Sequence, residues 1–76
     1  MHFDKQIDTR GTKCPMPVLK TKKALALMQA NEVLCVLATD PASISDIEQF
    51  AKQTGHKVLA QEKLENGEIQ HFIEHK

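Results

Sequence analysis

Six consecutive apolar residues, Val33-Leu34-Cys35-Val36-Leu37-Ala38, stand out in a chain that is otherwise mixed in polarity. The run has the length of a strand and is too short to span a bilayer, which takes about 20 apolar residues in a helix. An apolar strand of this kind needs cover on at least one face, so the run predicts a central strand in a packed sheet. In a chain of 76 residues the cover must come from the segments on either side.

Both flanks supply it. Upstream, Val18, Thr21, Leu25 and Met28 recur at helical spacing, with Lys20 and Lys23 on the other side. This predicts a helix from about Pro15 to Ala30. Proline is tolerated in a first turn, where N–H groups have no intrahelical partner, and Asn31 is placed to stop the helix. Downstream, Ile44, Ile47, Phe50 and Ala51 fall in a narrow arc opposite Ser45, Asp46, Gln49, Lys52 and Gln53. This predicts a second helix to about Thr54, ended by Gly55. Its start has two candidate caps: Asp40 with Pro41 at the first helical position, or Ser43 paired with Asp46 as in a capping box.

Residues 3–8 alternate in polarity and predict a short strand. His56–Leu64 and Glu68–His75 predict two more, and Asn66-Gly67 between them signals a hairpin turn with both residues at positive φ. On the last strand Ile69, His71 and Ile73 share one face, while Phe72 points to the other with Leu59. The order strand, helix, strand, helix, strand, strand describes an α/β chain with a four-stranded sheet and both helices on one face. The first two strands run parallel through a right-handed crossover; the full strand order stays open. Parallel strands bring their carboxyl ends to one edge. The Arg10–Cys14 and Asp40–Ser43 loops are therefore neighbours, beside two helix N-termini, at the edge where α/β proteins place their chemistry.

Composition narrows the function classes. The length suits a single domain over residues 1–76. Lys plus Arg and Asp plus Glu number ten each, giving no overall pull toward nucleic acid or anionic membrane. Three Phe with no Trp or Tyr make a poor stacking platform, so direct nucleic-acid binding is not expected. Lys13, Lys20, Lys22 and Lys23 read as a solvated helix face. Two cysteines are too few for a disulfide scaffold, and the N-terminus alternates instead of forming a signal peptide's apolar run. A reduced cytoplasmic protein is the expectation. His2, His56, His71 and His75 form a metal set only by count, and neither metal nor cofactor is expected.

The chemistry points to Cys14. It opens the first helix and is followed by Pro15 and Pro17. A helix N-terminus offers free N–H groups and partial positive charge, both favouring thiolate over thiol. Arg10, Lys13 and Lys20 are near in sequence and add to this effect. The spacing is not Cys-x-x-Cys, so a dithiol mechanism is disfavoured. A lone thiolate suits a carrier that attacks a sulfane sulfur, holds it as a persulfide and surrenders it to the next nucleophile. Cys35 reads as a buried small hydrophobe. Gly11 permits a tight path in the preceding loop. Asp8 and Arg10 either pair to order that loop, or Arg10 faces the anion. Asp40 reads as a helix cap that orders the neighbouring loop. Leu19 projects away from the core near Cys14 and is either a docking contact or packed on a loop.

The segment Asp8-Thr9-Arg10-Gly11-Thr12-Lys13-Cys14-Pro15-Met16-Pro17, with Val18 to Leu25, Thr39-Asp40-Pro41, Asp46-Ile47 and Gly55-His56, resembles the TusA/SirA-like sulfur-carrier family over nearly the whole chain. The resemblance implies a two-layer α/β sandwich of order β-α-β-α-β-β. It also implies a sulfur-carrier protein with persulfide transfer activity on Cys14, loaded by a cysteine desulfurase or rhodanese-type donor. A downstream acceptor protein would take the sulfur onward. The pathways so served include 2-thiouridine formation in tRNA, molybdenum-cofactor metabolism and sulfur oxidation. Met16 stands where the tRNA-pathway members tend to carry Glu, and Thr12 where Leu is frequent; both bear on the partner and not on the thiol. Two other readings compete. One is a regulatory or RNA/protein interaction module, since the layout also resembles the C-terminal domain of translation initiation factor 3. The other is a redox sensor acting through a sulfenic acid on Cys14.

Overall fold

The apolar run forms the expected inner strand in a computed structural model that describes residues 2–76. In chain order the elements are β1 (Lys5–Asp8), α1 (Met16–Ala26), β2 (Val33–Ala38), α2 (Ser43–Thr54), β3 (Lys57–Lys63) and β4 (Ile69–Glu74). β1 runs parallel to β2, with Lys5 opposite Leu34 and Asp8 opposite Leu37. β4 lies antiparallel on the other side of β2, and β3 pairs antiparallel with β4, giving the order β1-β2-β4-β3. The result is a mixed four-stranded sheet with two helices on one face, as the sequence led one to expect.

Side-chain alternation along the strands sorts the core. Leu34 and Val36 of β2 and Ile73 of β4 join Ala24 and Leu25 of α1 and Ile47 of α2 under the helices. Ile7, Val18, Met28, Phe50 and Val58 close the margin of this cluster. Cys35, Leu37 and Phe72 form a second buried cluster with Val33, Leu59 and Ala60 on the opposite face, and Phe3 lies near Phe72 with ring centroids 6.3 Å apart. Both faces of β2 are thus covered, which is why its sequence shows no polar alternation. Thr21 tolerates its place in the α1 stripe because its hydroxyl donates to the Pro17 carbonyl at 2.7 Å.

A polar group sits inside the first cluster's layer. His71 is fully buried, with its Nε2 3.0 Å from Ser43 Oγ and its Nδ1 3.0 Å from Gln61 Nε2. Gln61 Nε2 also donates to the Ile44 carbonyl at 3.0 Å, which fixes the amide orientation. Nδ1 therefore accepts, and the ring's one proton lies on Nε2 and is donated to Ser43. The capping-box expectation for Ser43 gives way here, since its hydroxyl is engaged with His71. Asp40 accepts the Ala42 N–H at 3.0 Å in the turn before the helix, and α2, with Ala42 at its N-cap, has no side-chain cap of its own. Regular helix starts only at Ser43, after a turn closed by the Ser43 N–H on the Asp40 carbonyl at 2.9 Å.

Two boundaries depart from expectation. α1 ends at Ala26, short of Ala30. Its last turn tightens through Leu27 N–H to Ala24 O and Met28 N–H to Leu25 O, and the Glu32 carboxylate then captures the Gln29 N–H at 2.7 Å. Asn31, at φ 71°, donates to the His75 carbonyl and launches β2. The hairpin is not a two-residue turn. Leu64 accepts from Gly67 and donates to Glu68, and only Gly67 of the Asn66-Gly67 pair has positive φ (89°). This is a three-residue loop whose last residue must be left-handed, a place where glycine avoids the Cβ clash. Among the described residues no helix is long and apolar enough to cross a membrane.

Candidate functional site

The loops leaving β1 and β2 meet at one sheet edge, as the parallel pairing requires. Thr9 is buried and fastens the first loop: its N–H and its hydroxyl both donate to the Leu37 carbonyl, at 2.7 and 2.6 Å. The Thr12 hydroxyl donates back to the Thr9 carbonyl at 2.6 Å. Gly11, at φ 79°, aims its N–H at Thr39 Oγ1, 2.9 Å away, a left-handed conformation that a Cβ would strain. Asp40 completes the tie. One carboxylate oxygen accepts the Cys14 N–H at 2.9 Å while the other holds Ala42. These two bonds, Cys14's first, hold the Asp40 carboxyl below its usual range.

Cys14 is exposed and unpaired, and Cys35 is buried and unpaired. The Cys14–Pro15 peptide bond is cis. Pro15 and Val18 from the α1 side and Asp46, Gln49, Phe50 and Gln53 from α2 form, with Cys14, an open cleft of about 260 Å³. The Asp46 carboxylate faces the thiol. Its Oδ2 is buried and has no hydrogen-bond partner. The Asp46 contact, then loss of some hydration, then the Asp46 and Asp40 charges push the thiol above its ordinary value.

This corrects the expectation of a depressed thiol. The donors counted on at the helix N-terminus are already spent or missing. Pro15 and Pro17 have no N–H, Met16 donates to the Lys13 carbonyl at 2.9 Å, and the Cys14 N–H goes to Asp40. Of the two readings of Arg10, the structure realises the pairing. Its Nε and Nη2 meet Asp8 at 2.9 and 3.0 Å, and Nη1 meets Glu68 at 3.1 Å. Arg10 does not face the sulfur. The guanidinium hydrogen bonds, with the Arg10 N–H next, lower the Asp8 carboxyl to about 2. The Lys20 charge reaches Asp8, and that of Lys13 reaches Asp40. The structure thus brings Gly11, Cys14, Pro15 and Asp40 to one place, sets Pro17 in the buried first turn of α1, and leaves Asp8, Arg10 and Lys20 as a neighbouring brace.

Asp46 is the residue that sequence reasoning missed, having assigned it to the solvated side of α2. The available signal was its place in the first turn of a helix that starts at the same sheet edge as Cys14. Its helical spacing to Phe50 and Gln53 then extends one wall of the cleft.

Comparison with known proteins fits this geometry. A family model described as sulfurtransferase TusA matches residues 5–75. The sulfur carrier protein TusA of Allochromatium vinosum is 45% identical over 71 residues, covering 93% of this chain and 91% of that protein. A putative sulfur carrier protein of Neisseria meningitidis serogroup A is 47% identical over 70 residues, covering 92% of this chain and 93% of that one. The crystal structure of a SirA-like protein from Desulfitobacterium hafniense superposes with a TM-score of 0.84 at 33% identity, covering 93% of this chain and 96% of that one.

Proposed function

The chain belongs to the TusA family of sulfur carriers, and from that membership we propose that it accepts sulfane sulfur as a persulfide on Cys14 and relays it to an acceptor protein. The observation that carries this reading is the thiol itself: exposed, at the mouth of an open cleft, with the only other cysteine buried in mid-sheet. No resolving thiol stands by, so a sulfur placed on Cys14 leaves only to an incoming nucleophile. Asp40, Gly11, Pro15 and Pro17 hold the thiol in place, while Asp8, Arg10 and Lys20 brace the loop that carries it.

The donor is a cysteine desulfurase or a rhodanese-type protein, and 2-thiolation of tRNA is one pathway such a relay feeds. One exposed side of α1, next to Cys14, supports a docking role. Met16 and Leu19 are 41 and 51% exposed there, beside Lys20 and Lys23. An apolar stripe bordered by lysines suits a partner surface that is apolar with an acidic margin. The raised thiol counts against the peroxide-sensor reading, which wants an abundant thiolate.

The test is intact mass after incubation with a cysteine desulfurase, pyridoxal phosphate and cysteine. The expected result is a reducible gain of about 32 Da, one sulfur atom, that is absent from Cys14→Ser. A gain that survives in Cys14→Ser refutes the assignment.

A further inference from the structure

A sulfur acceptor whose thiol is held protonated needs somewhere to send the proton when it attacks. Among the described residues, no Lys, Arg or His lines the cleft around Cys14. The titratable groups that act on the sulfur are two carboxylates, Asp46 from α2 and Asp40 from the loop before it; the α1 side contributes Pro15 and Val18, and the Lys13 charge reaches Asp40. The two carboxylates differ in one respect. Both oxygens of Asp40 are taken, by the Cys14 and Ala42 N–H groups. Asp46, which lines the cleft together with Cys14, keeps its Oδ2 buried and without a hydrogen-bond partner. A buried carboxylate oxygen left without a strong bond is costly, and such exceptions call for an explanation.

We propose that Asp46 is the proton shuttle of Cys14, taking the thiol proton as the sulfur attacks a donor persulfide and returning it to the departing donor thiolate. The inference rests on the sulfur-carrier reading above. In the step, the Cys14 S–H bond breaks and the proton moves to the Asp46 carboxylate. Sγ forms a bond to the outer sulfur of R–S–SH, and the donor's S–S bond breaks with its electron pair leaving on R–S⁻. Asp46 then releases its proton to that thiolate. The sum is Cys14–SH + R–S–SH → Cys14–S–SH + R–SH, with no net oxidation or reduction. The arrangement reconciles two demands: a resting thiol too protonated to react freely with stray electrophiles, and a thiol that becomes nucleophilic once a donor closes the cleft.

The experiment separates a shuttle from an electrostatic neighbour. Wild type, Asp46→Asn and Asp46→Glu are compared in two assays, with folding checked by circular dichroism. The first is the pH profile of iodoacetamide alkylation of Cys14; buried Cys35 stays unlabelled. The second is the rate of persulfide formation by intact mass, with glutathione persulfide and separately with a cysteine desulfurase as donor. The shuttle predicts opposite changes in Asp46→Asn. Alkylation at neutral pH speeds up because a charge opposing the thiolate is gone, while sulfur acceptance slows by at least about tenfold with both donors because the base is gone. Asp46→Glu restores part of the acceptance rate. Acceptance as fast as wild type or faster overturns the proposal. So does slowing with the desulfurase alone, which would make Asp46 a docking residue. If Asp46→Asn does not fold, Asp46→Ser is read in the same two assays. A wild-type protein that takes sulfur from neither donor would instead remove the sulfur-carrier reading itself, and this inference with it.

Discussion

Acid should unpick this fold at His71 before it protonates the paired carboxylates. The ring is fully buried, its Nδ1 accepts from Gln61, and its one proton goes to Ser43. A second proton would have to enter at Nδ1, against the Gln61 amide N–H that now donates there. Burial accordingly lowers the group from 6.5 to about 4. Between those two values the unfolded chain binds a proton that the native state refuses, so stability rises with pH across the window. The contribution is complete above 6.5, drains as pH falls, and is exhausted near 4. At 1.36 kcal/mol per pH of difference, the loss amounts to about 3 kcal/mol. A chain of 76 residues has roughly 4–11 kcal/mol in all, so the effect is a large fraction of the total. Urea unfolding of wild type and His71→Gln, measured every half pH from 4 to 7.5, reads it directly. The variant should be less stable at pH 7, because Gln cannot reproduce both ring contacts, yet its stability should fall less steeply toward pH 4. His56, also lowered by burial, titrates in part of the same range, and the difference between the two proteins removes it. Equal slopes for the two proteins, or a wild type whose stability is flat from 6.5 to 4, would refute the argument.

Other outcomes follow from the same structure. Ile47 is wholly buried between the helices and the sheet, so Ile47→Ala should cost about 2–5 kcal/mol in urea unfolding with no change of fold. Because Arg10 is spent on Asp8 and Glu68, Arg10→Ala should leave the neutral-pH alkylation rate of Cys14 within about twofold, an exposed ion pair having little reach. A collapse of that rate would restore Arg10 to the sulfur. Cys14→Ser should abolish sulfur loading while leaving the thermal midpoint nearly unchanged, since the side chain is exposed.

The order of elements was legible because each carries its own period: Val33–Ala38 without alternation, Ile44, Ile47, Phe50 and Ala51 at helical spacing. The meeting of the Cys14 and Asp40 loops was legible too, because parallel pairing of β1 and β2 leaves their carboxyl ends no other place. What could not be read depends on rotation and on partners distant in sequence. The sequence does not reveal that β4 enters between β2 and β3, because strand periodicity is blind to which neighbour a strand selects. Nor does the stripe of α2 say which polar residues at its margin turn toward α1, and so Asp46 was assigned to solvent. The electrostatics of Cys14 were misjudged for the same reason. Cations near in sequence were counted, whereas the charges that reach the sulfur come from residues 40 and 46, across the sheet edge. The Asn66-Gly67 turn was misread locally, since Asn-Gly also fits a three-residue loop in which glycine alone is left-handed.

The position of β4 has a consequence in time. The last of the four strands in chain order lies inside the sheet, hydrogen-bonded on both sides, while β1 and β3 hold the edges. Until residues 69–74 have left the ribosome, β2 and β3 have nothing between them, and the layer beneath the helices lacks Ile69, His71 and Ile73. Assembly therefore waits on closure of contacts between segments far apart in the chain, a slow class of folding event. The loop holding Cys14 is pinned to β2, and β2 gains its second hydrogen-bonded neighbour only when β4 has arrived. A chain cut short of β4 should therefore leave the sheet open between β2 and β3.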